Sequence, residues 1–95
     1  MVLNPVFTML DGQPLELVLY KSDSCFFCGF VIERIKGLNF EIPNKDIHQD
    51  PQARRELVEK GGKSQVPCLF INGKPLYESQ DIVHFLETQV LLAQA

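Results

Sequence analysis

No apolar run in the 95-residue chain approaches the 18 or so residues that a membrane helix needs. There is no excess of positive charge either. Nine basic residues stand against twelve acidic ones, for a net charge of −3 with no block of like sign. The basic footprint of a nucleic-acid binder is therefore missing. The overall field weakly repels anions, so an anionic small ligand would have to be held by a few placed cations. The first twelve residues lack both a Lys/Arg cluster and a sustained apolar core, so they do not read as a signal peptide and a cytoplasmic location is expected. Internal repeats, linkers and low-complexity tracts are absent. The cysteines number only three, an odd set, which does not fit the evenly paired framework of a small secreted protein. Two of them lie three residues apart, a spacing that points to redox or metal chemistry in a reducing compartment.

What is present describes one small globular domain. Apolar residues make up 45% and charged ones 22%, and 95 residues leave room for a single compact core. Residues 1–14 read as a lead-in ending in the turn-like Asp11-Gly12-Gln13-Pro14, and residues 15–95 as the domain. Leu15 to Tyr20 has the apolar run of a buried strand. Lys21-Ser22-Asp23-Ser24 breaks that run with capping residues. From Cys25 the residues Phe27, Cys28, Val31, Ile32 and Ile35 recur at helical spacing, and Gly37 follows as a stop. Phe40 to Pro43 opens a shorter strand expected to resume at Asp46-Ile47. Asp50-Pro51 starts a polar helix that runs to Lys60 and closes at Gly61-Gly62. Cys68 to Ile71 and Lys74 to Tyr77 are strands joined by the hairpin signal Asn72-Gly73. Ser79 is expected to cap a last helix whose buried stripe is Ile82, Val83, Phe85, Leu86 and Val90. The order is β-α-β-α-β-β-α.

Cys25-Phe26-Phe27-Cys28 carries the chemistry. Cysteines at i and i+3 on a helix share a face and can close a disulfide ring. The strand–turn–helix setting puts Cys25 at a helix start, where unpaired N–H groups and the macrodipole favour a charged sulfur. Cys25 is the expected nucleophile, and Cys28, one turn inward, the resolving thiol. Asp23 opposes this as a nearby carboxylate. A zinc site would need two more ligands, and Cys68, His48 and His84 lack ligand spacing, so no metal is expected. The compartment disfavours a structural disulfide. Two unreactive core cysteines are the remaining alternative, but Cys25 follows four polar residues and should be exposed. Cys68 reads as a small buried group on a central strand, and His48 and His84 have no informative partner. Arg54-Arg55 reads as a solvated helix face beside Glu56 and Glu59.

From Leu15 to about Thr88 the chain resembles the glutaredoxin family of the thioredoxin-like superfamily. The resemblance rests on Leu17-Val18-Leu19-Tyr20 leading into the C-x-x-C, and on Gly61 to Pro67, similar to the family's Thr-Val-Pro loop. It rests also on Phe70 to Leu76, similar to its final hairpin, and on Tyr77 to Ile82, similar to the turn into its last helix. It implies an α/β fold with a four-stranded mixed sheet flanked by three helices, and a cis bond before Pro67. It implies further that the Val66 backbone pairs with the cysteinyl part of glutathione. Glu78-Ser79 is similar to the Glu-Ser pair with which glutathione transferases hold the γ-glutamyl group. The implied glutathione residues are Lys63, Gln65, Val66, Pro67, Glu78 and Ser79, with Lys63 (and Lys60) meeting the glycyl carboxylate.

The chain departs from the family at several positions. Phe26 stands for the usual proline and Phe27 for the usual tyrosine. Ser22 stands for a common lysine, which Lys21 is not placed to replace. Gln65 stands for threonine and Gln80 for an acidic residue. The implied activity is a monomeric, glutathione-dependent oxidoreductase that reduces protein disulfides or glutathione mixed disulfides, with glutathione as reductant. One alternative is an iron–sulfur cluster carrier held by Cys25 and glutathione across a dimer. The other is a stand-alone domain of the transferase type.

Overall fold

Alternation along two central strands divides the core into two layers. The computed structural model describes residues 6–38 and 42–93. Strand β3 (Leu17–Lys21) sends Leu17 and Leu19 to one face and Val18 and Tyr20 to the other, and β5 (Cys68–Ile71) does the same with Leu69 against Cys68 and Phe70. Helices α1 (Phe26–Lys36) and α3 (Ser79–Thr88) cover the first face through Val31, Ile82, Val83 and Leu86. Helix α2 (Pro51–Gly61) covers the second through Ala53 and Leu57. With β4 (Asn44–Asp46) and β6 (Lys74–Leu76), the sheet runs β4-β3-β5-β6. Strand β4 lies parallel to β3, and the other neighbours are antiparallel. This is the expected mixed four-stranded sheet flanked by three helices, the thioredoxin-like arrangement.

A second sheet goes beyond the sequence reading. Strands β1 (Val6–Met9) and β2 (Pro14–Leu15) straddle the boundary expected at residue 15, and β1 pairs antiparallel with β7 (Val90–Ala93). Phe7, Leu15 and Val90 are buried in the layer formed with α1 and α3. Val90 thus belongs to a strand, because α3 ends at Thr88, and not to the α3 stripe.

Smaller corrections follow local physics. The sequence reading opens a strand at Phe40 to Pro43 and resumes it at Asp46-Ile47; residues 39–41 lie outside the described residues, and the pairing falls on Asn44–Asp46, which shares Asp46 with that expectation. A polar edge strand carries no apolar signature to read. Tyr77 falls outside β6, and Ser79 is the first residue of α3 and not its cap. The capping position is Glu78, which makes no side-chain cap bond. The turn chemistry held where it was strongest. Asn72 and Gly73 both take positive φ (50° and 84°), as a tight hairpin turn requires, and Gly62 ends α2 at φ 86°. Among the described residues no helix is long and apolar enough to cross a membrane.

Candidate active site

The buried apolar run of β3 stops at Tyr20, and a polar turn turns the chain into α1. Ser22 is buried there with its hydroxyl 3.0 Å from that of Ser24, and the Cys25 N–H donates to the Ser22 carbonyl at 3.1 Å. These contacts fix Cys25 as the N-cap of α1. Its sulfur accepts the Cys28 N–H at 3.3 Å, satisfying one of the donors that a helix start leaves free. The same sulfur lies 3.7 Å from the Val66 carbonyl. Asp23 is engaged by Lys21, which also pairs with Asp46 at 3.5 Å. The carboxylate next to the nucleophile is thereby countered, and Lys21 is committed to that pair.

The other two cysteines differ from Cys25 by burial. All three are free thiols. Burial first, and then the Cys25 sulfur, pushes the Cys28 thiol up to about 12, and burial pushes Cys68 up to about 11. At pH 8 their thiolate fractions are on the order of 10⁻⁴ and 10⁻³. Iodoacetamide at pH 8 is therefore expected to label Cys25 alone in the folded protein, and all three cysteines after urea unfolding. Peptide mapping by mass spectrometry checks this, and labelling of Cys68 in the native protein would contradict it.

Two clefts flank the nucleophile and share Val66. One, of about 140 Å³, brings together Gln65, Val66, Pro67, Glu78 and Ser79, five of the six residues that the family resemblance implies for glutathione, and adds Phe27 and Tyr77. The Val66–Pro67 bond is cis. Lys63 stays outside this lining, with its Nζ 4.5 Å over the Tyr77 ring while its carbonyl accepts the Tyr77 hydroxyl at 3.2 Å. Gly61 makes room for that tyrosine, since a Cβ there would collide with the Tyr77 oxygen.

The second cleft, of about 270 Å³, contains Cys25 itself with Ser22, Ser24, Ser64, His48 and Arg54. Sequence reasoning set Arg54 aside as a solvated face. Its approach to Cys25 depends on how α2 crosses the sheet, which no local charge pattern reveals. His48 is held by its neighbour Asp46, whose carboxylate accepts the His48 and Gln49 N–H groups at 2.8 and 3.2 Å. Those bonds, with Lys21, hold the Asp46 carboxyl below its usual range. Lys60 lines a different cavity, beside Tyr20 and Glu56. Phe27, expected on the buried face of α1, is 57% exposed, because Cys28 and Val31 take the inward positions. Among the described residues no cluster of His, Cys, Asp and Glu could hold a metal ion.

Residues 17–76 match the family model described as glutaredoxin. No curated protein sequence matches the chain. Among solved structures the chain is similar to the thioredoxin-like protein BC3987, at 24% identity and a TM-score of 0.64, covering 75% of this chain and 94% of that one. It is also similar to a buckwheat glutaredoxin–glutathione complex, at 20% identity and a TM-score of 0.61, covering 77% and 69%. Glutaredoxin C1 from Populus tremula x tremuloides, in its holo form, aligns at 17% identity and a TM-score of 0.60, covering 76% and 74%.

Proposed function

The chain belongs to the glutaredoxin family, and from that premise we propose that it is a glutathione-dependent thiol–disulfide oxidoreductase with Cys25 as nucleophile. The single observation that carries this reading is the Cys25 sulfur at the α1 N-terminus, accepting the Cys28 N–H at 3.3 Å beside the Val66 carbonyl. In the first step the Cys25 thiolate attacks a glutathione mixed disulfide at the glutathione sulfur. A bond forms between Cys25 and glutathione, the old S–S bond breaks, and the substrate leaves as a thiolate that takes a proton from water. Glutathione thiolate then attacks the Cys25 adduct, releasing oxidised glutathione and the free Cys25 thiolate. With a protein disulfide, Cys28 can close on Cys25 to release the reduced protein, and two glutathiones reopen the ring.

The two clefts supply what the ends of glutathione need. The γ-glutamyl end carries one carboxylate and one ammonium. The first N–H groups of α3, at Ser79 and Gln80, have no acceptor within the helix and suit the carboxylate, while Glu78 and Asp81 suit the ammonium. For the glycyl carboxylate we choose Arg54, in the Cys25 cleft, over Lys63, which is spread on Tyr77. Arg54 has no carboxylate partner among the described residues. A hydrogen bond to a charged group contributes about 1.5–3 kcal/mol, and because Arg54 is exposed the lower end applies, so Arg54→Gln is expected to raise KM for glutathione by roughly tenfold with little change in kcat. Glutathione-coupled reduction of a small mixed disulfide tests both the activity and this residue. An unchanged KM in Arg54→Gln would return the glycyl contact to Lys63, and absence of turnover in the wild type would overturn the proposed function.

A further inference from the structure

Tyr77 stands directly before the Glu78-Ser79 pair and packs, half-buried, against the layer of Cys68 and Phe70 on the α2 side of the sheet. Its hydroxyl donates to the Lys63 carbonyl at 3.2 Å. The same hydroxyl interacts with the Cys68 thiol, and each group shifts the titration of the other. Lys63 and Cys68 flank residues 64–67, the loop that carries Gln65, Val66 and Pro67. One phenol therefore ties the two ends of that loop together, and the Lys63 ammonium over its ring adds to the contact.

Gly61, the last residue of α2, shows how closely the phenol is seated. Its backbone is helical and its φ is not positive, so conformation does not call for glycine. Glycine in a helix is less stable than alanine. Packing is what calls for it, since a Cβ there would strike the Tyr77 hydroxyl and lie 3.2 Å from the ring carbon Cζ.

Tyr77 thereby serves two anchor points of one cleft, which it lines together with Val66 and Ser79. Its hydroxyl holds the loop that places the Val66 carbonyl 3.7 Å from the Cys25 sulfur, and two residues along the chain Ser79 begins α3. We propose that Tyr77 is a positioning residue: its hydroxyl, seated on Gly61, fixes the separation between Val66 and the α3 N-terminus and so selects γ-glutamyl thiols, which must reach both. The inference rests on the glutathione reading above, with the cysteinyl part at Val66 and the γ-glutamyl carboxylate at α3. Two linked contacts reinforce each other only when the span between their sites is matched and held. A ligand without the γ-glutamyl group meets one of the two points and gains nothing from the spacing.

The test uses mixed disulfides of one small thiol with glutathione, with γ-glutamylcysteine and with cysteinylglycine. Tyr77→Phe keeps the ring and removes the tie. Loss of one hydrogen bond corresponds to about a fivefold effect, so KM should rise about fivefold for the first two substrates with kcat held. KM for the cysteinylglycine disulfide should stay at the wild-type value. Gly61→Ala, at a residue that lines neither cleft, should reproduce this pattern by displacing the hydroxyl. In the Tyr77→Phe background the same change should add little, because the atom it would strike is gone. Equal rises in KM for all three disulfides, as a general loosening of the fold would give, would overturn the proposal. Unchanged KM values throughout, or a Gly61→Ala effect undiminished in Tyr77→Phe, would overturn it too. If the wild type turns over none of the disulfides, the oxidoreductase reading itself fails. NMR spectra of the free wild-type and Tyr77→Phe proteins then decide the tie alone, which stands if the shift changes reach Gln65 and Val66 and falls if they stop at Lys63 and Cys68.

Discussion

Replacing Cys25 by serine is expected to take turnover of glutathione mixed disulfides to the uncatalysed background, while Cys28→Ser keeps the wild-type order of magnitude. A hydroxyl at position 25 stays protonated and cannot displace a thiolate from a disulfide. Loss of a lone nucleophile typically costs on the order of 10³–10⁶ in kcat. Cys28 differs for a structural reason. It is buried in the second position of the motif, and its thiol, pushed up to about 12, is almost wholly protonated near neutrality. It is needed only when a protein remains joined to Cys25 and the ring must close. Cys28→Ser should accordingly lose reduction of protein disulfides and keep reduction of glutathione mixed disulfides. Steady-state rates on one substrate of each kind check this, and equal losses from both substitutions on the small substrate would contradict it.

The second large effect is on stability at high pH. Burial raises Cys28 from 9.0 to about 12, Cys68 from 9.0 to about 11 and Tyr20 from 10.0 to about 12. For Tyr20 the hydrogen bond to Glu56, at 2.9 Å, adds to the effect of burial. A raised folded-state pKa contributes stability that is complete below the unfolded-state value and is lost as pH climbs toward the folded one. The window therefore opens near pH 9 and closes near pH 12. At pH 10 the three groups together should remove about 3 kcal/mol relative to neutral pH, taking 1.36 kcal/mol per unit. That is a large share of the roughly 5–15 kcal/mol that holds most domains together. Lys21, raised chiefly by its bond to Asp23, shifts in the same direction. Urea midpoints measured from pH 7 to 10.5 should fall steeply above pH 9, and Cys68→Ala should flatten the fall. A level midpoint across that range would contradict the burial of these thiols.

Much of the site could be read along the chain because its signals are local. The polar run Lys21 to Ser24 marks the start of α1, Asp50-Pro51 the start of α2, and Asn72-Gly73 the hairpin. Each works through one residue's own conformation or capping group. The convergence of Gln65, Val66, Pro67, Glu78 and Ser79 on one cleft followed from a resemblance spread along the chain, since no local pattern joins a loop to a helix start. What escaped was non-local. Strand β1 pairs with β7, Phe7 opposite Leu92, across more than eighty residues, and neither segment has the length or alternation to announce a strand. Arg54 reached the Cys25 cleft for a similar reason, because its sequence neighbours Arg55 and Glu56 describe a helix surface and say nothing of what that surface crosses. Phe27 went the other way. Helical spacing groups it with Cys28 and Val31 in one apolar stripe, yet the inward places belong to those two and Phe27 faces out.

The most direct measurement of the proposed chemistry is the intact mass of the Cys28→Ser protein after mixing with oxidised glutathione at neutral pH. The expected result is a gain of one glutathionyl group, mapped to Cys25, that disappears when excess reduced glutathione is added. A protein that takes up no glutathione, that takes it up at Cys68, or that keeps the Cys25 adduct in the presence of reduced glutathione would contradict the account.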